Sequence, residues 1–285
     1  MSGNGQRKTD AGKYSSSSSA FYVYCIAETD AASEIVTKPA PSALEEDTAI
    51  ELVEADGLSA ITSQVPLDQY GEDVLSDKLT EAPWLAPRAM RHEQLVEHFA
   101  RRTSVVPLRF GTVYLERRGI EKMLAARSSE LREILNRLRG REEWGVNLYF
   151  DRNQLLERIT SVSPKLRDLV AQAQNSTPGQ SYLLKKKIDG LKVDEARSEM
   201  NRLIDETGQR LAATVDEMMT LRVLKVEATE HGELKAKFAV LIQRSEFEQF
   251  HASVEQWAVD NQNAGLRLEL TGPWPAYNFT NRTIE

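Results

Sequence analysis

His92-Glu93 opens like a helix-borne zinc-protease pattern, in which two histidines one turn apart ligate the metal and the glutamate activates water. The second ligand is missing, because Val96 stands in its place and His98, six residues from His92, points to another part of the helix. His231 falls in an expected hairpin turn and His251 on an expected helix, so the four histidines read as surface or hydrogen-bonded structural groups. Cys25 lies in the apolar run Phe21-Tyr22-Val23-Tyr24-Cys25-Ile26, with no charged neighbour to stabilise a thiolate. It reads as a small core residue. No Walker-type loop, no G-x-G-x-x-G after a strand and no G-x-S-x-G elbow is present. Lys185-Lys186-Lys187 has the chemistry to grip a phosphate, an acidic partner or a membrane surface, but on a helix it reads as a solvated face. No catalytic residue, cofactor or metal is expected.

The composition narrows the field further. A chain of 285 residues with 41% hydrophobic content is long enough for two domains with a core each. With 43 acidic and 36 basic side chains the net charge is −7, which supplies no electrostatic reason to bind nucleic acid. No apolar run approaches the length of a membrane span. The serine-rich first twenty residues lack the apolar segment of a signal peptide and read as a disordered lead. A lone cysteine suits a reducing compartment, so the expectation is a soluble cytoplasmic protein without nucleic-acid or membrane partners.

Patterning sets out the elements. Residues 21–26 and 58–65 read as strands, with an acidic, proline-broken loop or excursion around short local elements over 28–54. A helix follows from Pro87 to residue 100. Residues 105–114 are strand-like, and Pro107 and Gly111 suit an edge. A second helix over 120–138 stops at Gly140, and 144–150 returns as a strand. Asp151 can cap a helix interrupted at Pro164, and a long helix over 184–218 follows the Asn175-Ser176-Thr177-Pro178-Gly179 loop. A hairpin over 221–228 and 234–243 comes next, with Phe238, Val240 and Ile242 on one face, then a helix capped by Ser245 and a strand over 266–270. The predicted fold class is α+β with two domains, each a mixed helix and antiparallel-sheet unit, over 21–150 and 151–272. The C-terminal domain would be ferredoxin-like if it gained one further strand. Residues 273–285 form an aromatic tail, since two prolines flank Trp274. Exposing Trp274, Tyr277 and Phe279 together would make an adhesive patch, so the tail is expected to dock, preferably on its own chain.

Five segments, in order, carry a resemblance: Tyr22-Val23-Tyr24-Cys25-Ile26; Val106-Pro107-Leu108-Arg109-Phe110-Gly111-Thr112-Val113-Tyr114; Gly140 with Glu143-Trp144-Gly145-Val146; Pro178-Gly179-Gln180-Ser181-Tyr182-Leu183-Leu184-Lys185-Lys186-Lys187; and Gly272-Pro273-Trp274-Pro275-Ala276-Tyr277-Asn278-Phe279. Together the chain resembles the GvpF/GvpL family of gas vesicle accessory proteins. It departs from the family at Cys25, where glycine is common, and at Ala276, where a further proline is common. The resemblance implies a non-enzymatic protein associated with gas vesicles. Such a protein binds the hydrophobic shell protein GvpA and other accessory Gvp proteins during nucleation or growth, or serves as a minor vesicle component. A subunit that builds an apolar gas-facing wall has to be shielded before incorporation, and an exposed sheet edge or apolar groove can do so. The expected partner-binding residues are Pro107, Arg109, Phe110, Trp274, Tyr277 and Phe279. The alternative is a small-molecule-sensing regulatory protein, by fold analogy alone. An enzyme would require folding to bring Cys25 and a histidine together.

Overall fold

The aromatic and β-branched run that opens the ordered chain becomes β1 (Ser19–Glu28), with Tyr22, Val23, Tyr24, Cys25 and Ala27 fully buried. The computed structural model describes residues 18–223, 228–229 and 232–280. The expected lead therefore lies outside the described residues up to 17, as does His231, while Ser19 and Ala20 already belong to β1.

By contact the chain divides into two units, residues 1–139 with 275–285, and residues 140–274. In the first, β1 is followed by α1 (Thr29–Val36), β2 (Ile50–Ala55), β3 (Leu58–Pro66), α2 (Leu67–Tyr70), α3 (Glu72–Lys78) and α4 (Ala82–Ala100). Then come β4 (Val106–Pro107), β5 (Val113–Tyr114), α5 (Arg117–Ala126) and α6 (Ser128–Leu138). The sheet runs β2-β3-β1-β4, antiparallel throughout, with β5 also paired to β1. β4 is at the edge, where Pro107 needs no ladder partner for its nitrogen.

One expectation gains detail here and two need correction. The stretch 28–54 contains α1 and β2, and β2 meets β3 through a two-residue turn, Asp56-Gly57, with φ of 50° and 68°. α4 begins at Ala82, with Pro83 in its first turn and Pro87 inside the helix. The helix expected over 120–138 is two helices, divided at Arg127, whose φ of −111° leaves the helical region.

The second unit begins with β6 (Arg141–Phe150), the strand that the sequence pattern had assigned to the first half. It pairs with β9 and β10 rather than with β1, which moves the boundary ahead of Arg141. There follow α7 (Arg152–Val162), α8 (Pro164–Gln174), α9 (Pro178–Thr214), β7 (Glu217–Leu221), β8 (Ala228–Thr229), β9 (Gly232–Gln243), α10 (Phe247–Asn261) and β10 (Leu266–Trp274). Asp151 caps α7 by accepting from the Gln154 N–H at 3.0 Å, and Ser163 caps α8 through the Leu166 N–H at 3.3 Å. Ser245 does not cap α10; it lies in a short 3₁₀ turn, Arg244–Glu246, ahead of it. The sheet order is β10-β6-β9-β7, antiparallel, with β8 on β9. Val146, Leu148, Phe238, Val240 and Ile242 face the core beneath α9 and α10.

Trp274 also departs from expectation. It ends β10 opposite Glu143, and a register shift after Thr271 lets the edge strand accommodate Pro273.

Candidate partner-binding site

β4 and β5 both pair with β1, and the chain between them leaves the sheet as an excursion over 108–112. Its two ends are anchored to β1, where the Leu108 N–H donates to the Tyr24 carbonyl and the Val23 N–H to the Thr112 carbonyl, each at 2.9 Å. Gly111, at φ +90°, reverses the chain and directs its N–H to the Tyr22 hydroxyl at 3.1 Å. Phe110 lies edge-on to Tyr22 and His92, with ring centres 5.9 and 5.7 Å away.

A line of hydrogen bonds runs from this excursion to the end of the chain. Tyr22 Oη is 2.8 Å from His92 Nδ1, His92 Nε2 is 3.0 Å from Tyr277 Oη, and the Tyr277 hydroxyl donates to Glu93 Oε1 at 3.0 Å. The Gly111 N–H can only donate. The assignment that satisfies every group has Tyr22 donating to Nδ1 and a neutral His92 donating from Nε2 to Tyr277. Burial lowers the His92 pKa to about 4, against an opposing pull from the Leu108 backbone. Burial also raises Glu93, opposed by its bond from Tyr277. Phe279 is buried on the same unit, and its carbonyl accepts from the Arg137 guanidinium.

Between excursion, α6 and tail lies a cavity of about 560 Å³. Pro107, Leu131 and Ile134 are among its apolar walls, and Arg109, Arg127 and Tyr277 among its polar ones. No carboxylate lines it among the described residues. Arg127 is held by Glu130 at 2.8 and 2.9 Å, while Arg109 is exposed at the tip of the excursion. Such a recess suits an apolar side chain with a negative group beside it.

Of the six residues expected to bind a partner, Pro107, Arg109 and Tyr277 line this cavity, and Phe110 and Phe279 pack in the same unit. Trp274 is not brought to it. It stays half exposed on β10 of the other unit, its indole N–H 3.3 Å from Thr271 Oγ1. The residues missed were Tyr22, Glu93 and, above all, His92. The signal was present, because His92 shares one helix face with Leu95, Val96 and Phe99, all buried. His98 packs edge-on against Phe99, and His251 is 3.5 Å from Glu255. Among the described residues no group of three or more His, Cys, Asp or Glu could hold a metal ion, and no helix is long and apolar enough to cross a membrane. Cys25 is fully buried, which pushes its thiol pKa up and disfavours a thiolate.

Relatives match this sequence over two thirds to nearly all of its length. Gas vesicle protein L1 of Halobacterium salinarum is 26% identical over 96% of this chain and 95% of its own. Gas vesicle protein L of a Streptomyces species is 27% identical over 78% of this chain and 79% of its own, and gas vesicle protein F of a Streptomyces species 25% over 67% and 76%. Among solved structures, the gas vesicle protein GvpF from Anabaena superposes with a TM-score of 0.60 at 19% identity, covering 94% of this chain and 98% of that one. GvpF from Microcystis aeruginosa does so with a TM-score of 0.56 at 19% identity, covering 92% and 99%. Both share the α+β fold of helices on antiparallel sheets. The model of the gas vesicle synthesis protein GvpL/GvpF family matches residues 20–281, and the chain belongs to that family.

Proposed function

We propose that this chain acts without catalysis in assembling gas vesicles in the cytoplasm, binding the hydrophobic shell protein GvpA and other accessory vesicle proteins. The observation that carries this reading is the cavity where Pro107, Arg109 and Tyr277 meet. An apolar stretch of a shell subunit would enter between Pro107, Leu131 and Ile134, and a neighbouring carboxylate would reach Arg109 at the rim. Family membership supports the vesicle setting. The order of strands and helices in the second unit supports reading it as ferredoxin-like.

The test is co-expression of the tagged full chain with GvpA, measuring by pull-down and size-exclusion chromatography how much GvpA stays soluble. Arg109→Glu and Leu108→Asp should lose capture while keeping the wild-type circular dichroism spectrum, and Trp274→Ala should keep it. Capture retained by both excursion variants would place the contact elsewhere, and no capture by the wild type would overturn the reading. One observation favours a second reading, that of a small-molecule sensor: the cavity volume falls within the range of ligand pockets. A ligand that raises the melting temperature of the wild type but not of Arg109→Glu would support it.

A further inference from the structure

α9 runs unbroken for 37 residues, and its two sides differ. Ile188, Ala196 and Leu203 are buried in the core of the second unit. Facing away from that core, Leu183 is 66% exposed, with Tyr182, 67% exposed, at its flank, while Val193 lies toward a recess that it lines with Ala196 and Leu156. Gly190 lies at the middle of that face, and a Cβ there would meet nothing within 4 Å. A glycine in an exposed helix interior costs about 1 kcal/mol relative to alanine, and what it offers in return is room for another backbone to come close. Lys186 and Asp194 stand four residues to either side of it, about 12 Å apart along the axis, beyond each other's reach. Both are exposed, and neither has an ion-pair partner among the described residues.

We propose that this face of α9 binds the same face of a second copy of the chain, antiparallel, with the two-fold axis at Gly190. The occupant follows from charge and spacing. A two-fold axis at Gly190 sets each residue opposite the one equally far on the other side, so Lys186 of each copy meets Asp194 of the other and both ion pairs form at once. Leu183 then lies against the stem of Arg197. A parallel pair would instead stack Lys185, Lys186 and Lys187 on their counterparts, which like-charge repulsion opposes. The excursion and its cavity take no part in this contact.

Size-exclusion chromatography with light scattering on the full chain, at several concentrations, reads the outcome. The wild type should have the mass of two chains, Lys186→Glu and Asp194→Lys should each be monomeric, and the double variant should regain the dimer. Gly190→Cys adds an accessible thiol to a chain whose own Cys25 is buried, so a short bismaleimide should join two such chains. A wild type that is monomeric at every concentration overturns the proposal. So does a dimer that survives both single charge reversals, or a double variant that stays monomeric while its circular dichroism shows it folded.

Discussion

Tyr277 carries one end of a polar line whose other members all lie in residues 22–111, and its hydroxyl serves His92 and Glu93 together. Tyr277→Phe keeps the ring and leaves the buried His92 Nε2 short of its partner, while the exposed Glu93 carboxylate turns to water. It should cost about 1–3 kcal/mol, read as a lower urea midpoint without a change in slope. The histidine also sets a pH dependence. Its folded pKa of about 4 lies below the usual 6.5, so folding favours the neutral ring. The stability that depends on neutrality is complete above about pH 6.5 and is lost as the pH falls toward 4, by about 3 kcal/mol. Glu93 acts in the opposite sense, since its raised pKa favours the protonated form in the fold. Comparing urea midpoints of wild type and His92→Gln at pH 7 and 4.5 isolates the histidine, and the variant should lose less on acidification. At this scale the sequence disclosed residue types but few partners. Arg109 and Pro107 advertised themselves through an unusual strand, whereas the value of His92 depends on Tyr22 and Tyr277, 70 and 185 residues away.

Local chemistry made several elements readable. The Asp151 cap, the break at Pro164 and the edge character of the Pro107 segment each follow from a property of one residue, and the structure contains all three. β2 was hidden by its acidic composition, although Asp56-Gly57 is the dipeptide that two-residue hairpins favour. The break between α5 and α6 has no such mark, since Arg127 and Ser128 are ordinary helix residues. Gly265, at φ +73°, joins the turn before β10 to the start of α7, with its carbonyl accepting from the Asp151 N–H at 2.9 Å. A Cβ there would come within 2.6 Å of the Asp151 carbonyl oxygen. Gly265→Ala should therefore cost about 1–3 kcal/mol, more than the loss of about 1 kcal/mol expected for removing the cap with Asp151→Ala. Melting temperatures of the two variants give the order.

Leaving aside the short β5 and β8, both sheets place the fourth strand of their unit beside the first, the first beside the third and the third beside the second. That repetition was obscured in the sequence because β6, a plausible last strand for one half, is the first strand of the other. No periodicity tells a strand which sheet it will join, for pairing is decided by partners far along the chain. The tail was expected to be one piece, and instead divides between Trp274 and Pro275, with the later residues belonging to the first unit. A chain ending at Trp274 should lose amide protection in β1 and α4 and keep it in β6 and β9, as hydrogen exchange with mass spectrometry would show. Equal loss in both units would refute this assignment of the tail. The same division has a consequence in time. On the ribosome the first unit emerges early, but its closing segment is translated only after the whole second unit, a delay on the order of 10 s at ordinary elongation rates. Throughout that interval the nascent first unit lacks Tyr277 beside His92 and at its recess, and partner proteins present during translation meet a different surface from the one the finished chain displays.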